Sequence, residues 1–127
     1  MLVIHGPGTD TISDIVSPLP GEFVLDSYNW IPDDIELHLI LLKHDIKTLF
    51  YVGYATNMCV LNRAYGIKQM HNLGYQVILL RDATAGIEFH DTFNGKWATL
   101  IAIREVENMK RGYTCTTEDF IRGITRQ

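Results

Sequence analysis

The sequence lacks the features that mark membrane, exported and nucleic-acid-binding proteins. No apolar run approaches the roughly 18 residues that cross a bilayer, and no charged-then-apolar segment opens the chain as an export signal would. With 11 basic and 15 acidic residues, the net charge is -4. Because a polyphosphate backbone attracts proteins with a basic excess, we expect neither a nucleic acid nor a membrane partner.

Cysteine is also scarce, and no residue cluster suggests a metal or a cofactor. Cys59 and Cys115 lie far apart and match neither a zinc nor a disulfide-framework spacing. His5 with Asp10 is too sparse for a metal site, and the Gly-Pro-Gly turn after His5 lacks the helix start and lysine of a phosphate loop. We therefore expect no metal, no cofactor and a reducing, cytoplasmic setting.

The length and composition of the chain predict one ordinary globular domain. The 127 residues are 46% apolar and 20% charged, without repeats or low-complexity tracts. A chain of this size builds one core and is too short for two of ordinary size. We expect a single domain over residues 1–127.

Two nearly continuous apolar runs, residues 48–52 and 75–80, are typical of strands covered on both faces. Residues 57–73 between them have helical spacing and end before Gly74, a common helix stop. Such a unit predicts a right-handed parallel crossover, and hence an α/β fold with a mostly parallel sheet. Further helices are expected over residues 33–44, over residues 93–109 and after a cap near Thr116, with short strands over residues 2–4, 22–25 and 113–115. In the 93–109 helix the expected apolar positions are Trp97, Leu100, Ile101, Ile103 and Val106.

Cys59 follows the first of these strands and stands at the start of the helix. The unpaired N–H groups and the positive dipole end of a helix start favour a thiolate, which makes Cys59 a candidate nucleophile. Two other interpretations stay open: a small buried apolar residue, or a redox-responsive thiol, although no resolving cysteine is near in sequence.

The carboxyl ends of parallel strands lie at one edge of a sheet, where α/β proteins bind ligands. Cys59 and Asp82 should therefore share this edge. Backbone amides of residues 53–58 are suitable material for an oxyanion hole. We expect Asp82 to cap or brace a loop, as aspartate after a strand often does.

Residues 53–60 read Gly-Tyr-Ala-Thr-Asn-Met-Cys-Val, residues 64–66 read Ala-Tyr-Gly, and residues 74–83 read Gly-Tyr-Gln-Val-Ile-Leu-Leu-Arg-Asp-Ala. This pattern resembles the nucleophile region of the isochorismatase-like cysteine hydrolases, and the likeness runs from about Gly8 to Ile124. The resemblance implies a three-layer, doubly wound sheet with helices on both faces. It also implies hydrolysis of a small amide or related substrate through a covalent intermediate, and a homo-oligomer.

The resemblance also implies roles for particular residues. Cys59 would be the nucleophile, the peptide bond between Tyr54 and Ala55 would be cis, and the amides of Ala55 and Cys59 would form the oxyanion hole. Tyr54 and Asn57 would line the pocket. Trp30 stands where the family commonly has an aromatic pocket residue, and substrate contact and core packing are both open for it.

The sequence departs from the family at two catalytic positions. The family carries an aspartate base after its first strand and a lysine after the strand corresponding to residues 22–25, but the first lysine here is Lys43, in the next predicted helix. The chain opens at what corresponds to the second strand, so we expect the first strand to be absent; Asp10 and Asp14 come too late to be the base. We therefore expect an N-terminally incomplete or divergent member.

The two departures bear on function and on the sheet. Without general-base assistance, which is worth about 10²- to 10⁴-fold, the chain as written would be a slow hydrolase. The alternative is a catalytically silent member that serves as an oligomeric association module. A vacated central position would leave unpaired backbone groups unless the sheet closes up or a partner supplies a strand.

Overall fold

The structure is a computed structural model that describes residues 2–5 and 34–125. The strands are β1 (Leu2–His5), β2 (Thr48–Tyr54), β3 (Gln76–Ala85) and β4 (Gly112–Cys115). The helices are α1 (Asp34–Lys43), α2 (Ile67–Asn72), α3 (Trp97–Glu107) and α4 (Thr117–Thr125), and a π-helical turn spans Thr56–Val60. The strand expected over residues 22–25 lies outside the described residues.

The four strands form one sheet in the order β1-β2-β3-β4. β2, β3 and β4 are parallel, whereas β1 pairs antiparallel with β2 and sets Leu2 opposite Tyr51. This arrangement confirms the predicted α/β class with a mostly parallel sheet. Among the described residues, β1 forms backbone hydrogen bonds directly with β2, so no strand position between them is left empty.

Apolar side chains pack against both faces of the sheet. Successive strand residues point to opposite faces, so alternate positions of β2 and β3 enter different clusters. Leu49 and Leu79 belong to the larger cluster, which α1, α2 and α3 cover. On the other face Leu80 packs with Phe120 of α4, whose ring lies edge-on to Phe50 at 4.8 Å between centroids. The expectation of three layers is confirmed.

The single helix expected over residues 57–73 is interrupted, so this prediction was wrong. The chain turns between the π-helical turn and α2, where Gly66 adopts an extended conformation (φ -77°, ψ 176°). A Cβ on Gly66 would lie 2.9 Å from both the N and O atoms of Arg63, so the close turn requires glycine. The apolar spacing continues across the break, because Val60 and Ile67 reach the same cluster from different elements, while Ala64 is exposed.

β2 and β3 extend further than their apolar runs indicated. Residues 81–85, whose polar and small side chains are typical of a loop, continue β3, and after a register shift Gly53 pairs with Thr84 and Tyr54 with Ala85. Gly53 adopts a positive φ of 101° next to this shift, as glycines at bulges often do. Backbone pairing therefore continues the strand through polar residues.

Helix α3 is present, but three of its expected core residues point outward. Ile103 and Val106 are buried as predicted. Trp97, Leu100 and Ile101 are 61%, 50% and 63% exposed, and the small residues Thr99 and Ala102 take the inner face. Apolar residues occur on both sides of α3, so periodicity alone could not decide which side is buried.

None of the described helices has both the length and the apolar character needed to span a bilayer.

Two adjacent leucines in α1 test the assignment of the core. Leu41 is 0% exposed and Leu42 is 59% exposed. We expect Leu41→Ala to lower the free energy of unfolding by about 2–5 kcal/mol, because it removes buried methyl groups and leaves a cavity. The matched control Leu42→Ala should change it by about 0.5 kcal/mol or less. Urea denaturation followed by circular dichroism measures both, and equal losses would contradict the placement of α1.

Candidate functional site

Cys59 lies on the Cys59 turn, which we define as residues 55–60, directly after β2. The peptide bond between Tyr54 and Ala55 is cis, as the resemblance implies. The Ala55 carbonyl accepts hydrogen bonds from Met58 N (3.0 Å) and Val60 N (3.1 Å). The second bond spans five residues and makes the turn π-helical, a conformation that recurs at functional sites. Cys59 is half-buried in this turn.

Three donors are directed at the Cys59 sulfur. The Arg63 guanidinium hydrogen-bonds to Sγ and has the largest effect on the pKa of Cys59, which is lowered. Loss of solvent acts in the opposite direction, and the positive charge of Arg63 and the amides of Ala55 and Cys59 lower the pKa further. The surroundings of Cys59 therefore favour its thiolate.

The environment of Cys115 has the opposite effect on its thiol. Burial raises the pKa of Cys115, and the negative charge of Asp119 adds to that increase. Cys115 lines an apolar groove of about 330 Å³ beside α4, together with Phe50 and Phe120. No residue of the Cys59 turn lines this groove, so the two thiols occupy separate environments.

Side-chain hydrogen bonds join the Cys59 turn to the end of β3. The buried Thr56 hydroxyl lies 2.5 Å from that of Thr84. The Asn57 amide donates to the Ile87 carbonyl (3.1 Å) and accepts from the Ile87 N–H (2.9 Å). The two strand ends therefore meet at one edge of the sheet, as the sequence predicts. Tyr54 is 80% exposed at this edge.

Of the predicted pocket residues, the structure describes Asn57 and Tyr54 but not Trp30. Asn57 uses its amide to hold the Ile87 backbone, and its role in lining a pocket stays a prediction. Trp30 lies outside the described residues.

Asp82 caps helix α4 from the end of β3. Its Oδ1 accepts hydrogen bonds from the N–H and the hydroxyl of Thr117, both at 2.8 Å. The Thr117 hydroxyl is the main cause of the lowered pKa of Asp82. The expectation that Asp82 has a capping role is confirmed, although Asp82 lies within β3 and caps a helix rather than a loop. Thr116 and Asp119 also exchange backbone and side-chain hydrogen bonds as a capping box, which confirms the predicted helix start.

Glu88 is a supporting residue that the sequence did not reveal. Its carboxylate accepts hydrogen bonds from Ala98 N (3.0 Å), Thr99 N (2.8 Å) and the Thr99 hydroxyl (2.5 Å). The Thr99 hydroxyl also accepts from Gly86 N at 2.9 Å. Glu88 thus fixes the first turn of α3 to the segment that Asn57 holds. Because Glu88 lies ten residues before Ala98, the first residue that donates to it, no local capping pattern indicates it.

A band of exposed apolar side chains surrounds this edge of the sheet. Eight large residues at the end of β2, on the Cys59 turn, on the segment after β3 and on the outer side of α3 are 50–80% exposed. We call them the apolar rim: Tyr54, Met58, Ile87, Phe89, Phe93, Trp97, Leu100 and Ile101. Within the described ranges, no group of three or more His, Cys, Asp or Glu side chains is arranged to hold a metal ion.

The Glu88 contacts predict a pH-dependent stability. Loss of solvent raises the pKa of Glu88, but hydrogen bonds from Thr99 and Ala98 outweigh it and bring the pKa to about 2. The unfolded value is about 4.3, so the carboxylate stabilises the fold fully above about pH 5 and progressively less as the pH falls towards 2. We expect wild type to exceed Glu88→Gln in urea midpoint at pH 6, with the difference shrinking towards pH 2.5.

Asp91→Asn, at an exposed carboxylate near Glu88, is the control and should change the urea midpoint little at either pH. A difference between wild type and Glu88→Gln that stays constant from pH 6 to 2.5 would contradict the capping role of Glu88.

The model of the isochorismatase domain matches residues 3–104, a range that includes the Cys59 turn, β3 and most of α3. No curated protein and no solved structure was found to match the chain. Because the family match covers well over half of the 127 residues, the chain belongs to the isochorismatase family.

Proposed function

We propose that this protein is a cysteine hydrolase that acts on a small amide or related substrate through a covalent intermediate on Cys59. The observation that carries this proposal is the position of Cys59 on the turn directly after β2, where hydrogen bonding from Arg63 and from the amides of Ala55 and Cys59 lowers the pKa of its thiol. Membership of the isochorismatase family supports a hydrolase function. We further propose a cytoplasmic setting, where the thiol stays reduced.

The proposed reaction begins when the Cys59 thiolate attacks the substrate carbonyl carbon. A carbon–sulfur bond forms, and the carbonyl oxygen takes the negative charge. Amides that point towards Sγ stand close to the carbon bonded to it, so the N–H groups of Ala55 and Cys59 are suited to stabilise this oxyanion.

The tetrahedral intermediate then collapses to products in two stages. The bond to the leaving group breaks, the leaving group takes a proton from water, and a thioester remains on Cys59. The hydroxide that remains from this water attacks the thioester carbon, the carbon–sulfur bond breaks, and the carboxylic acid and the thiolate are released. Since the family's lysine is not found at its expected sequence position, we propose that turnover in this chain is slow.

Replacing Cys59 tests the hydrolase proposal. We expect p-nitrophenyl acetate, an activated ester, to acetylate Cys59 and to be hydrolysed. Cys59→Ala should reduce the rate by about 10²-fold or more, because it removes the nucleophile. The matched control Cys115→Ala should retain the wild-type rate.

Release of p-nitrophenol gives the rates, and peptide mass spectrometry locates the acetyl group. Equal acetylation of the two cysteines, or full activity of Cys59→Ala, would contradict the proposal.

The apolar rim favours a second candidate function, a homo-oligomeric association module. A large side chain buries about 150–250 Å² when fully covered, so eight side chains that are 50–80% exposed offer on the order of 800 Å². This is the size of one side of a standard interface and exceeds the apolar patch of a typical monomer. We propose that a second copy of the chain covers the rim. The association-only function predicts that Cys59→Ala leaves both the oligomer and the biological activity intact.

An aspartate placed in the rim tests the proposed interface. Ile101 is 63% exposed in the rim, and Ile121 is 43% exposed on α4. We expect Ile101→Asp to weaken self-association by about tenfold or more, because it places a charge in an apolar contact. The control Ile121→Asp should leave self-association unchanged. Sedimentation velocity measures both variants, and a wild-type protein that is monomeric at tens of micromolar would contradict the proposal.

A further inference from the structure

Arg63 stands one helical turn after Cys59 and reaches its sulfur. The Arg63 N–H donates to the Cys59 carbonyl at 3.2 Å, the contact expected of residues four apart in a helix. Residues with this spacing lie on the same side of a helical turn, so their side chains are neighbours. From this position the Arg63 side chain lowers the pKa of Cys59, mainly through hydrogen bonding and also through its positive charge.

The backbone after Arg63 fixes where its side chain begins. Gly66 N donates to the Arg63 carbonyl at 2.7 Å and closes the turn that separates Arg63 from α2. Any side chain at Gly66 would collide with the Arg63 backbone, at 2.9 Å from its N and O atoms. The interruption of the helix therefore places Arg63 at the end of the same short turn that carries Cys59.

A guanidinium has a definite chemistry beside a sulfur. It stays protonated at all ordinary pH values, so it neither removes a proton from the thiol nor donates one to a leaving group. What it supplies is a permanent positive charge and several N–H donors, and both stabilise an anion more than a neutral group. Beside Cys59 it therefore favours the thiolate.

Two carboxylates on the neighbouring strand and the segment after it form hydrogen bonds elsewhere. Asp82 accepts hydrogen bonds from Thr117 at the start of α4. Glu88 accepts them from Ala98 and Thr99 at the start of α3. Both are held by helix starts, while the guanidinium of Arg63 is directed at the sulfur.

We propose that Arg63 is a catalytic residue of this site, whose guanidinium holds the Cys59 sulfur in its anionic, reactive form. This inference rests on the proposed cysteine hydrolase function. Arg63 supplies a positive charge from the nucleophile's own turn in a chain whose sequence lacks the family's lysine at its expected position. When the thioester forms, the sulfur loses its charge and the guanidinium is free to bind the carbonyl oxygen.

The test is the pH dependence of alkylation by iodoacetamide, with Cys59 and Cys115 quantified separately by peptide mass spectrometry. In the full-length chain we expect Cys59 to react faster than Cys115 at pH 7. Arg63→Gln should slow Cys59 by about threefold or more at pH 7 and shift its pH profile upward, while Arg63→Lys restores part of the rate. Both variants should retain the wild-type circular dichroism spectrum.

Arg81→Gln is the matched control, because Arg81 is an exposed arginine whose charge lowers the pKa of Cys115. It should slow Cys115 and leave Cys59 unchanged. A folded Arg63→Gln protein whose Cys59 profile equals that of wild type would overturn the proposal.

A second measurement needs no variant to fold. Iodoacetate is anionic, so a neighbouring guanidinium should raise the ratio of iodoacetate to iodoacetamide rates at Cys59 above the ratio at Cys115. Equal ratios of iodoacetate to iodoacetamide rates at Cys59 and Cys115 would contradict the proposed pairing of Arg63 with Cys59. If Arg63→Gln changes the alkylation of Cys59 but Cys59→Ala still hydrolyses esters, the proposed hydrolase function is wrong and the role of Arg63 in favouring the thiolate is retained. If Cys59→Ala loses hydrolysis but Arg63→Gln leaves the alkylation of Cys59 unchanged, the hydrolase function is retained and the role of Arg63 is wrong.

Discussion

The parallel pairing of the carboxyl ends of β2 and β3 is the constraint on which the rest of the site depends. It extends past the apolar runs of both strands, to Gly53 opposite Thr84 and Tyr54 opposite Ala85. Because the strands are parallel, the Cys59 turn and the segment after β3 leave the sheet side by side. The hydrogen bonds from Thr56 and Asn57 then join these two departing segments.

Support continues outward from this pairing to α3. Glu88 connects the segment after β3 to the start of α3, and Thr99 turns inward to meet it. The Cys59 turn is therefore held through side chains of elements that are distant in sequence. A short π-helical turn has little intrinsic stability, since helices of a few residues are marginal in water. Its supports keep the amides of Ala55 and Cys59 directed at one sulfur.

Part of this arrangement could be predicted from the sequence, because continuous apolar runs mark covered strands and Cys59 follows one of them. The capping role of Asp82 also followed from local chemistry, whereas the continued pairing of Gly53 with Thr84 and of Tyr54 with Ala85 did not. The inner side of α3 could not be predicted, because Leu100 and Val106 are equally apolar but face opposite ways. Glu88 acts across ten residues and leaves no local pattern. The proximity of Arg63 to Cys59 could be predicted from their four-residue spacing only if the backbone from Cys59 to Arg63 was known to be helical.

The Cys59 turn and Arg63 together favour the thiolate of Cys59, whereas the surroundings of Cys115 favour its thiol. The most direct measurement is a ¹³C NMR titration of the wild-type protein labelled at the cysteine Cβ atoms, with the two signals assigned from Cys→Ser variants. The account predicts that Cys59 ionises at a clearly lower pH than Cys115, because hydrogen bonds and charge lower the pKa of the first while burial raises that of the second. Ionisation of Cys59 at the same pH as Cys115, or at a higher one, would contradict it.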